Sequence, residues 1–282
     1  MFTILEKQRL SAEVFRMEIE APRIAKARKA GQFIILQQGG DYAERVPLTI
    51  ADADEQRGSI TLVFQAVGET THHLATLEVG DAIENVLGPL GQPTTIKQYG
   101  KVVCVGGGIG VAPMHPIAQA LKRAGNELKI IIGARNKELV ILEKEMRALS
   151  DDVIVVTDDG SYGRKALVTE PLKELSEVWK PDLVVAIGPP IMMKFCALTT
   201  KEYEIPTVVS LNTIMIDGTG MCGGCRVQVG GETKFACVDG PEFDGHEVDW
   251  DNLLMRLGTY KPQEDEAHHR CHIGLDLKEG EA

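Results

Sequence analysis

The sequence predicts a mixed fold: an antiparallel β sandwich or barrel, then a doubly wound parallel α/β domain, then a small glycine-rich segment with clustered cysteines. Three observations predict it. Short alternating strands bounded by turn residues fill residues 1–97, where helical periodicity is nearly absent. Apolar strand runs then alternate with helical runs through residues 98–210. Residues 211–282 hold Cys222, Cys225 and Cys237 within one short stretch.

In the first part the strands are "VFRMEIEA", "GQFIILQ", "VPLTIA", "SITLVFQA" and "DAIENVLG", with one possible helical turn at "TTHHLATL". His72 and His73 read there as helix-surface residues. The second part opens with the buried-strand run "KVVCVGGG" and the helix "APMHPIAQALKRAG", stopped by glycine. Then follow "LKIIIGAR" (strand), "LVILEKEMRAL" (helix), "VIVVTDDG" (strand) and "PLKELSEV" (helix). "DLVVAIG" (strand), "PPIMMKFCALTTKE" (helix) and "IPTVVS" (strand) complete the alternation, which is the pattern of a parallel doubly wound sheet. The tail "EDEAHHRCHIGLDLKEGEA" reads as charged and irregular.

Composition narrows the function. Of 282 residues, 44% are hydrophobic and 25% charged, as in ordinary globular chains. A formal net charge of −11 argues against non-specific nucleic-acid binding, which needs lysine and arginine on phosphates. No apolar run approaches the roughly 20 residues of a membrane span. The first residues, "MFTILEKQRLSAEVF", carry charges and no long apolar core, so no signal peptide is expected. A cytoplasmic protein is the expectation. In that compartment six cysteines do not read as a disulfide framework, and clustered ones read as metal ligands. Cys104 and Cys196, inside apolar runs, read as core.

Three loops follow strand carboxyl ends, where open α/β sheets bind ligands. "VGGGIGVAPM" joins a strand to a helix, so its glycines let backbone approach a phosphate at the helix N-terminus. It lacks the G-x-G-x-x-G pattern. "TDDGSYG" and "IGPPIMM" complete the set, and together the loops point to a nucleotide. Asp158 or Asp159 facing a ribose would repel a 2′-phosphate and favour NAD over NADP; as turn residues they would simply be solvated.

The cysteines follow D-x4-C-x2-C-x11-C from Asp217. Plant-type ferredoxins hold a 2Fe–2S cluster with C-x4-C-x2-C and one distant cysteine, so this is that spacing with a carboxylate first. Glycines 218, 220, 223 and 224 suit a loop wrapped around a cluster. The competing reading is a zinc knuckle in which Cys271 or His272 is the fourth ligand, in a nucleotide-binding regulator without turnover.

These three segments in this order resemble the ferredoxin–NADP reductase superfamily over residues 1 to about 250. More narrowly, they resemble its branch with a C-terminal 2Fe–2S domain. That branch includes electron-transfer subunits of dihydroorotate dehydrogenase, sulfide dehydrogenase and hydrogenase, and the small subunit of the bifurcating NADH-dependent reduced ferredoxin:NADP oxidoreductase. The resemblance implies a Greek-key β-barrel for FAD, a nucleotide domain for NAD(H) and a 2Fe–2S domain. FAD contacts are implied at Arg45, Pro47, Leu48 and Thr49 of "RVPLTI", with Leu48 where many members stack an aromatic on the flavin and Arg45 one residue further from Thr49 than usual. Gln65, Ala66, Val67, Gly68, Thr70 and Thr71 complete that set, Thr70 replacing the second glycine of a G-x-G-T turn. NAD contacts are implied at Gly107, Gly108, Ile109, Gly110, Ala112 and Pro113, and at Gly133, Ala134 and Arg135. Asp158, Asp159 and Gly160 join them, as do Gly188, Pro189 and Met192. Asp217, Cys222, Cys225 and Cys237 would hold the cluster. The dihydroorotate dehydrogenase subunits resemble "CGxGxCxxC", so Asp217 points to the bifurcating and sulfide dehydrogenase branch. A larger flavin and 4Fe–4S subunit is the implied partner, through which ferredoxin would be reached.

Overall fold

The computed structural model describes residues 1–40, 43–264 and 266. Its first seven strands are β1 (Phe2–Arg9), β2 (Val14–Glu20), β3 (Phe33–Gln37), β4 (Arg45–Asp54), β5 (Ser59–Gln65), β6 (Ala82–Ile83) and β7 (Asn85–Leu90). All pair antiparallel, in the order β6-β1-β2-β5-β4-β3-β7. Only Glu84 separates β6 from β7, yet they stand at opposite ends of that order, so the sheet curls until its edges meet. Strands β3, β4 and β5 are successive neighbours and β2 returns beside β5, which is a Greek key. Alternation sets the interior: Met17 and Ile19 of β2 are fully buried, while Arg16 and Glu18, which alternate with them, are not. Ile34 and Leu36 of β3 join the same core, with Ile60, Leu62 and Phe64 of β5.

Two short helices accompany the barrel, α1 (Pro22–Ala27) and α2 (Glu69–Thr76). The helical turn expected at "TTHHLATL" is therefore a full helix. It leaves His73 exposed and His72 half-buried on its surface.

The nucleotide domain runs β8 (Lys101–Gly107), α3 (Val111–Arg123), β9 (Glu127–Ala134), α4 (Glu143–Arg147), β10 (Val153–Thr157), β11 (Arg164–Lys165), α5 (Thr169–Val178), β12 (Leu183–Ile187), α6 (Pro190–Lys201) and β13 (Thr207–Ser210). After it come β14 (Arg226–Val229), β15 (Glu232–Phe235), β16 (Glu242–Asp244) and α7 (Trp250–Leu257). The second sheet has the order β11-β10-β9-β8-β12-β13-β16. It is parallel except at its last edge, where β16 of the cysteine segment runs antiparallel to β13. The strand order reverses between β8 and β12, and the carboxyl ends of strands at such a switch point are where open α/β sheets bind ligands. The helix expected over 139–149 shrinks to Glu143–Arg147, because Leu142 takes a left-handed backbone (φ 53°) that no continuous right-handed helix accepts.

Apolar packing joins the three parts. On one face of the parallel sheet, Met114, Ile117 and Leu121 of α3 pack with Val102, Cys104 and Ile130, and the cluster continues into Ala51 and Val63 of the barrel. On the other face Leu172, Met193 and Cys196 pack with Trp250 and Leu253 of α7. Cys104 and Cys196 are core residues, as expected, and burial pushes both thiols up to about 12. Among the described residues no helix is long and apolar enough to cross a membrane.

Candidate functional site

The glycine loop begins where β8 meets its neighbours: Gly106 lies opposite Ile187, and Gly107 opposite Gly133. A 3-10 turn over Gly108–Gly110 then feeds α3. Two of these glycines are required for different reasons. A side chain on Gly110 would collide with the carbonyl oxygen of Ile187 and lie 2.7 Å from the α-carbon of Gly188. Gly108 has φ +54°, and the space where its side chain would stand is open. Pro189 and Met192 close over Gly107 from the β12 loop, so Gly107–Gly110, Gly188, Pro189 and Met192 form one surface. Ala112 is buried in the core behind it, and Pro113 is half-buried.

The carboxyl ends of β9 and β10 come next along the sheet. Asp158 donates its amide to Ala134 and Asp159 to Arg135, at 3.1 and 3.2 Å. Asp159 Oδ1 accepts the Ser161 amide at 2.9 Å, and the Ser161 bonds hold its carboxyl below the usual range. Gly160 follows with φ +77°. Asp159 thus closes its own turn, whereas the exposed Asp158 and Arg135 stand side by side at the strand ends.

The barrel residues divide by strand face. Register places Thr49 opposite Phe33, Leu48 opposite Ile34, Pro47 opposite Ile35 and Arg45 opposite Gln37. Leu48 packs with the barrel interior, so Pro47 and Thr49 share the outer face with Phe33 and Ile35. Strand β5 touches the Gly108–Gly110 turn, which brings Gln65 and Ala66 toward the nucleotide loop. Beyond them Val67 is exposed and α2 begins at Glu69. The Thr71 hydroxyl accepts the amides of Val67 (3.1 Å) and Gly68 (3.0 Å), and Thr70 donates to Glu44 at 3.0 Å. Both hydroxyls are therefore committed to shaping the loop. The first-turn amides of α2, which no helix can satisfy internally, remain for a phosphate.

The cysteine segment lies on that same outer barrel face. Met215, Cys225, Ala236 and Cys237 pack with Phe33 and Ile35. At Gly218 (φ +76°) the backbone sits against two barrel side chains: an added β-carbon would be 2.7 Å from Ile35 and 2.9 Å from Leu90. The sulfurs of Cys225 and Cys237 are 3.2 Å apart and buried. Burial, then the Cys225 neighbour, pushes the Cys237 thiol up to about 12. Cys222 is exposed and accepts the Gly224 amide at 3.4 Å.

Asp217 accepts the amides of Thr219 (2.7 Å) and Cys222 (2.9 Å), and the Thr219 hydroxyl as well. Thr219 first, then Cys222, holds its carboxyl well below the usual carboxylate range. Two of the four expected ligands therefore converge, while Asp217 and Cys222 border the loop. Among the described residues no three ligating side chains are close enough together to grip one ion. The donor chemistry still fits an iron–sulfur cluster, since Cys222 and Cys225 flank a glycine pair, Cys237 joins them from beyond β15, and the amides of Gly224 and Cys237 face sulfur. The alternative ligands Cys271 and His272 lie outside the described residues.

Sequence reasoning missed the platform residues Phe33, Ile35 and Leu90, whose apolar character carries no functional signature. It also missed Arg226 and Arg256, which donate to the carbonyls of Gly223 (3.0 Å) and Gly224 (3.1 Å). Glu242 was missed too. Burial raises its carboxyl to about 7, and the Thr94 hydroxyl donates to it at 2.5 Å. A cleft of about 260 Å³ between the barrel and α3, lined by Arg16, Asp52 and His115 among others, contains none of the expected site residues.

Residues 104–197 match the oxidoreductase NAD-binding domain, and residues 212–249 match the iron–sulfur cluster binding domain of dihydroorotate dehydrogenase B. The chain is 48% identical over 267 residues to the dihydroorotate dehydrogenase B (NAD(+)) electron transfer subunit homolog of Thermotoga maritima, covering 95% of this chain and 94% of that one. It is 32% identical to the dihydroorotate dehydrogenase B electron transfer subunit of Desulforamulus reducens, over 88% and 97% of the two chains. A chain in the solved structure of an NADH-dependent reduced ferredoxin-NADP oxidoreductase superposes with TM-score 0.91 at 45% identity, over 96% of this chain and 97% of that one. At 20% identity and TM-score 0.58, the cytochrome b5 reductase domain of Ulva prolifera nitrate reductase shares the fold alone, over 72% and 92%. This chain belongs to the family of dihydroorotate dehydrogenase B-type electron transfer subunits, oxidoreductase subunits that join an NAD-binding domain and an iron–sulfur domain on the ferredoxin–NADP reductase fold.

Proposed function

We propose that the chain is the small subunit of a bifurcating NADH-dependent reduced ferredoxin:NADP oxidoreductase, moving electrons between NAD(H), FAD and a 2Fe–2S cluster. One observation carries the reading. Gly218, beside the proposed ligand Asp217, rests on Ile35, and Ile35 is the cross-strand partner of the proposed FAD residue Pro47. Side chains so paired are about 5 Å apart, so flavin and cluster residues share one face of a two-strand ladder. Bound FAD supplies the conversion between two-electron nicotinamide chemistry and one-electron iron–sulfur chemistry.

The chain's residues position and insulate. Gly107–Gly110 offer backbone amides at the start of α3, and the carboxylate of Asp158 would select NAD(H) against a 2′-phosphate. The first turn of α2 would take the FAD pyrophosphate. Asp217, Cys222, Cys225 and Cys237 would hold the cluster, Asp217 giving up a bond to Thr219 or Cys222 to do so. A carboxylate is a harder ligand than thiolate and would move the potential from that of an all-cysteine centre. A larger partner completes the pathway: Met221 (88% exposed) and Ile216 (56%), on the segment that carries the exposed Cys222, are apolar side chains left for it to cover.

Visible and EPR spectra of anaerobically purified protein, with flavin, iron and zinc analysis, test the reading. Flavin bands with a reducible 2Fe–2S signal are expected, as is NADH oxidation with artificial acceptors. Zinc without flavin, or ferredoxin-dependent NADP reduction by the single chain, would refute it. A second reading, the electron transfer subunit of dihydroorotate dehydrogenase, is favoured by the match of residues 212–249. The subunit that co-purifies distinguishes the two.

A further inference from the structure

The two glycines between Cys222 and Cys225 are held from outside by arginines distant from each other in sequence. Arg226 Nη1 donates to the Gly223 carbonyl at 3.0 Å, and Arg256 Nη2 of α7 donates to the Gly224 carbonyl at 3.1 Å. Among the described residues neither guanidinium forms an ion pair with a carboxylate. Arg256 is half-buried, and with Arg226 and Thr213 it lines a cavity of only about 10 Å³. The buried Thr213 hydroxyl in that cavity has no partner among the described residues. A space of that size admits at most a single water between the Arg256 side chain and Thr213.

Peptide planes have two ends. Turning the Gly223 and Gly224 carbonyls outward points the amides that share their peptide planes, those of Gly224 and Cys225, the other way, and the Gly224 amide does face the Cys222 sulfur at 3.4 Å. Gly223 accepts this turn because its φ of +68° costs glycine little. Inward amides and a nearby positive charge both favour the electron-rich state of a thiolate-held centre, whereas inward carbonyls would oppose it. An arginine needed only to fasten α7 could have used any loop carbonyl. These two use the pair that decides which groups face the sulfurs.

We propose that Arg256, assisted by Arg226, is a positioning residue of the iron–sulfur site that keeps the Gly224 and Cys225 amides on the cluster and raises its reduction potential. The inference rests on Cys222, Cys225 and Cys237 being ligands, as proposed above.

The test uses the full chain, reconstituted anaerobically, with EPR-monitored redox titration and the rate of iron release to a chelator as readouts. Arg256→Gln is expected to lower the reduced-to-oxidised ratio about tenfold at the wild-type midpoint, a shift of about 59 mV for a one-electron couple. Arg256→Lys retains the charge without the planar fork, so it is expected to hold the potential closer to wild type while releasing iron faster. Arg226→Gln is expected to shift the potential in the same direction by less, because Arg226 is exposed. Arg147→Gln on α4 controls for loss of a surface charge and is expected to change neither readout. Wild-type potential and iron release in Arg256→Gln would overturn the proposal. If that variant takes up no cluster, unchanged values in both Arg256→Lys and Arg226→Gln would overturn it instead. Cys225→Ser retaining the wild-type EPR signal would refute the ligand assignment, an outcome distinct from failure of the arginine role.

Discussion

Gly108 and Gly110 are two residues apart, and the structure assigns them opposite vulnerabilities. In Gly110→Ala the new methyl meets backbone: the Ile187 carbonyl oxygen, and the α-carbon of Gly188 at 2.7 Å. Ile187 is paired with Gly106 in the parallel ladder, so it cannot retreat without breaking the β8–β12 register. Overpacking of this kind costs about 1–3 kcal/mol. At about 2–4 °C per kcal/mol for a chain of comparable size, a 2 kcal/mol loss lowers the melting temperature by about 4–8 °C. In Gly108→Ala the methyl meets nothing within 4 Å, and the strain comes only from φ +54°. Left-handed strain of about 1–2 kcal/mol is partly offset by a less flexible unfolded chain, leaving about 1 kcal/mol or less.

The ligand should reverse the ranking. A methyl on the open face of Gly108 blocks a phosphate from the backbone amides, and a lost charge-assisted hydrogen bond is worth about 1.5–3 kcal/mol, or about ten- to a hundredfold in affinity. Calorimetric melting of both variants, together with NADH titration by fluorescence, separates the two effects. Gly110→Ala is expected to melt early, and Gly108→Ala to melt near wild type yet bind NADH at least about tenfold more weakly. A Gly108→Ala protein with wild-type NADH affinity, or a Gly110→Ala protein melting within about a degree of wild type, would show that the loop geometry has been misread.

The iron–sulfur side gives further expectations. Asp217→Cys is expected to retain a cluster with altered EPR signal and midpoint potential; an unchanged spectrum would mean that Asp217 only caps its loop through Thr219 and Cys222. Met221→Glu places a charge on the exposed segment that carries Cys222 and is expected to weaken binding of the larger subunit at least about tenfold while NADH–dye activity stays constant. Equal affinity by titration calorimetry would remove that segment from the interface. Glu242 predicts a pH effect. Its folded pKa, about 7, lies above the unfolded value of 4.5, so its contribution is full below 4.5 and is lost as pH rises through 7. Glu242→Gln is therefore expected to melt higher than wild type at pH 8, by an amount worth up to about 3 kcal/mol, with little difference near pH 4.5. Parallel melting curves across that range would contradict the burial argument.

What the sequence disclosed, and what it hid, follows from the range of the interactions. Strand β2 was legible because one face is buried and the period-two pattern survives in Met17 and Ile19, whereas β5, buried on both faces, was legible as a short run of apolar and β-branched residues. Strand β1 was not: its residues after Ile4 are mostly charged or polar, and its identity comes from pairing Ile4 with Ile19. The helix at 139–149 read as continuous because apolar spacing carries no record of the backbone reversal at Leu142. The cysteine spacing announced a cluster, since ligand geometry is local. Arg256 was silent, because its partner Gly224 lies 32 residues away and its contact is to a carbonyl that every residue possesses.

The relation between flavin and cluster sites belongs to that second class. Gly218 could be read as a loop glycine, but its reason lies in Ile35, and the importance of Ile35 lies in its register with Pro47. A slip of one residue between β3 and β4 would turn Ile35 into the barrel and leave the cysteine segment without its platform. The proposed distance between the two redox sites is thus set by the hydrophobic pattern of a strand that contains no redox residue. That pattern, Ile34 and Leu36 inward against Phe33 and Ile35 outward, is also the one the barrel core needs. Barrel folding and placement of the cluster are therefore one constraint, and charge introduced at Ile35 should damage electron transfer before it damages the barrel interior.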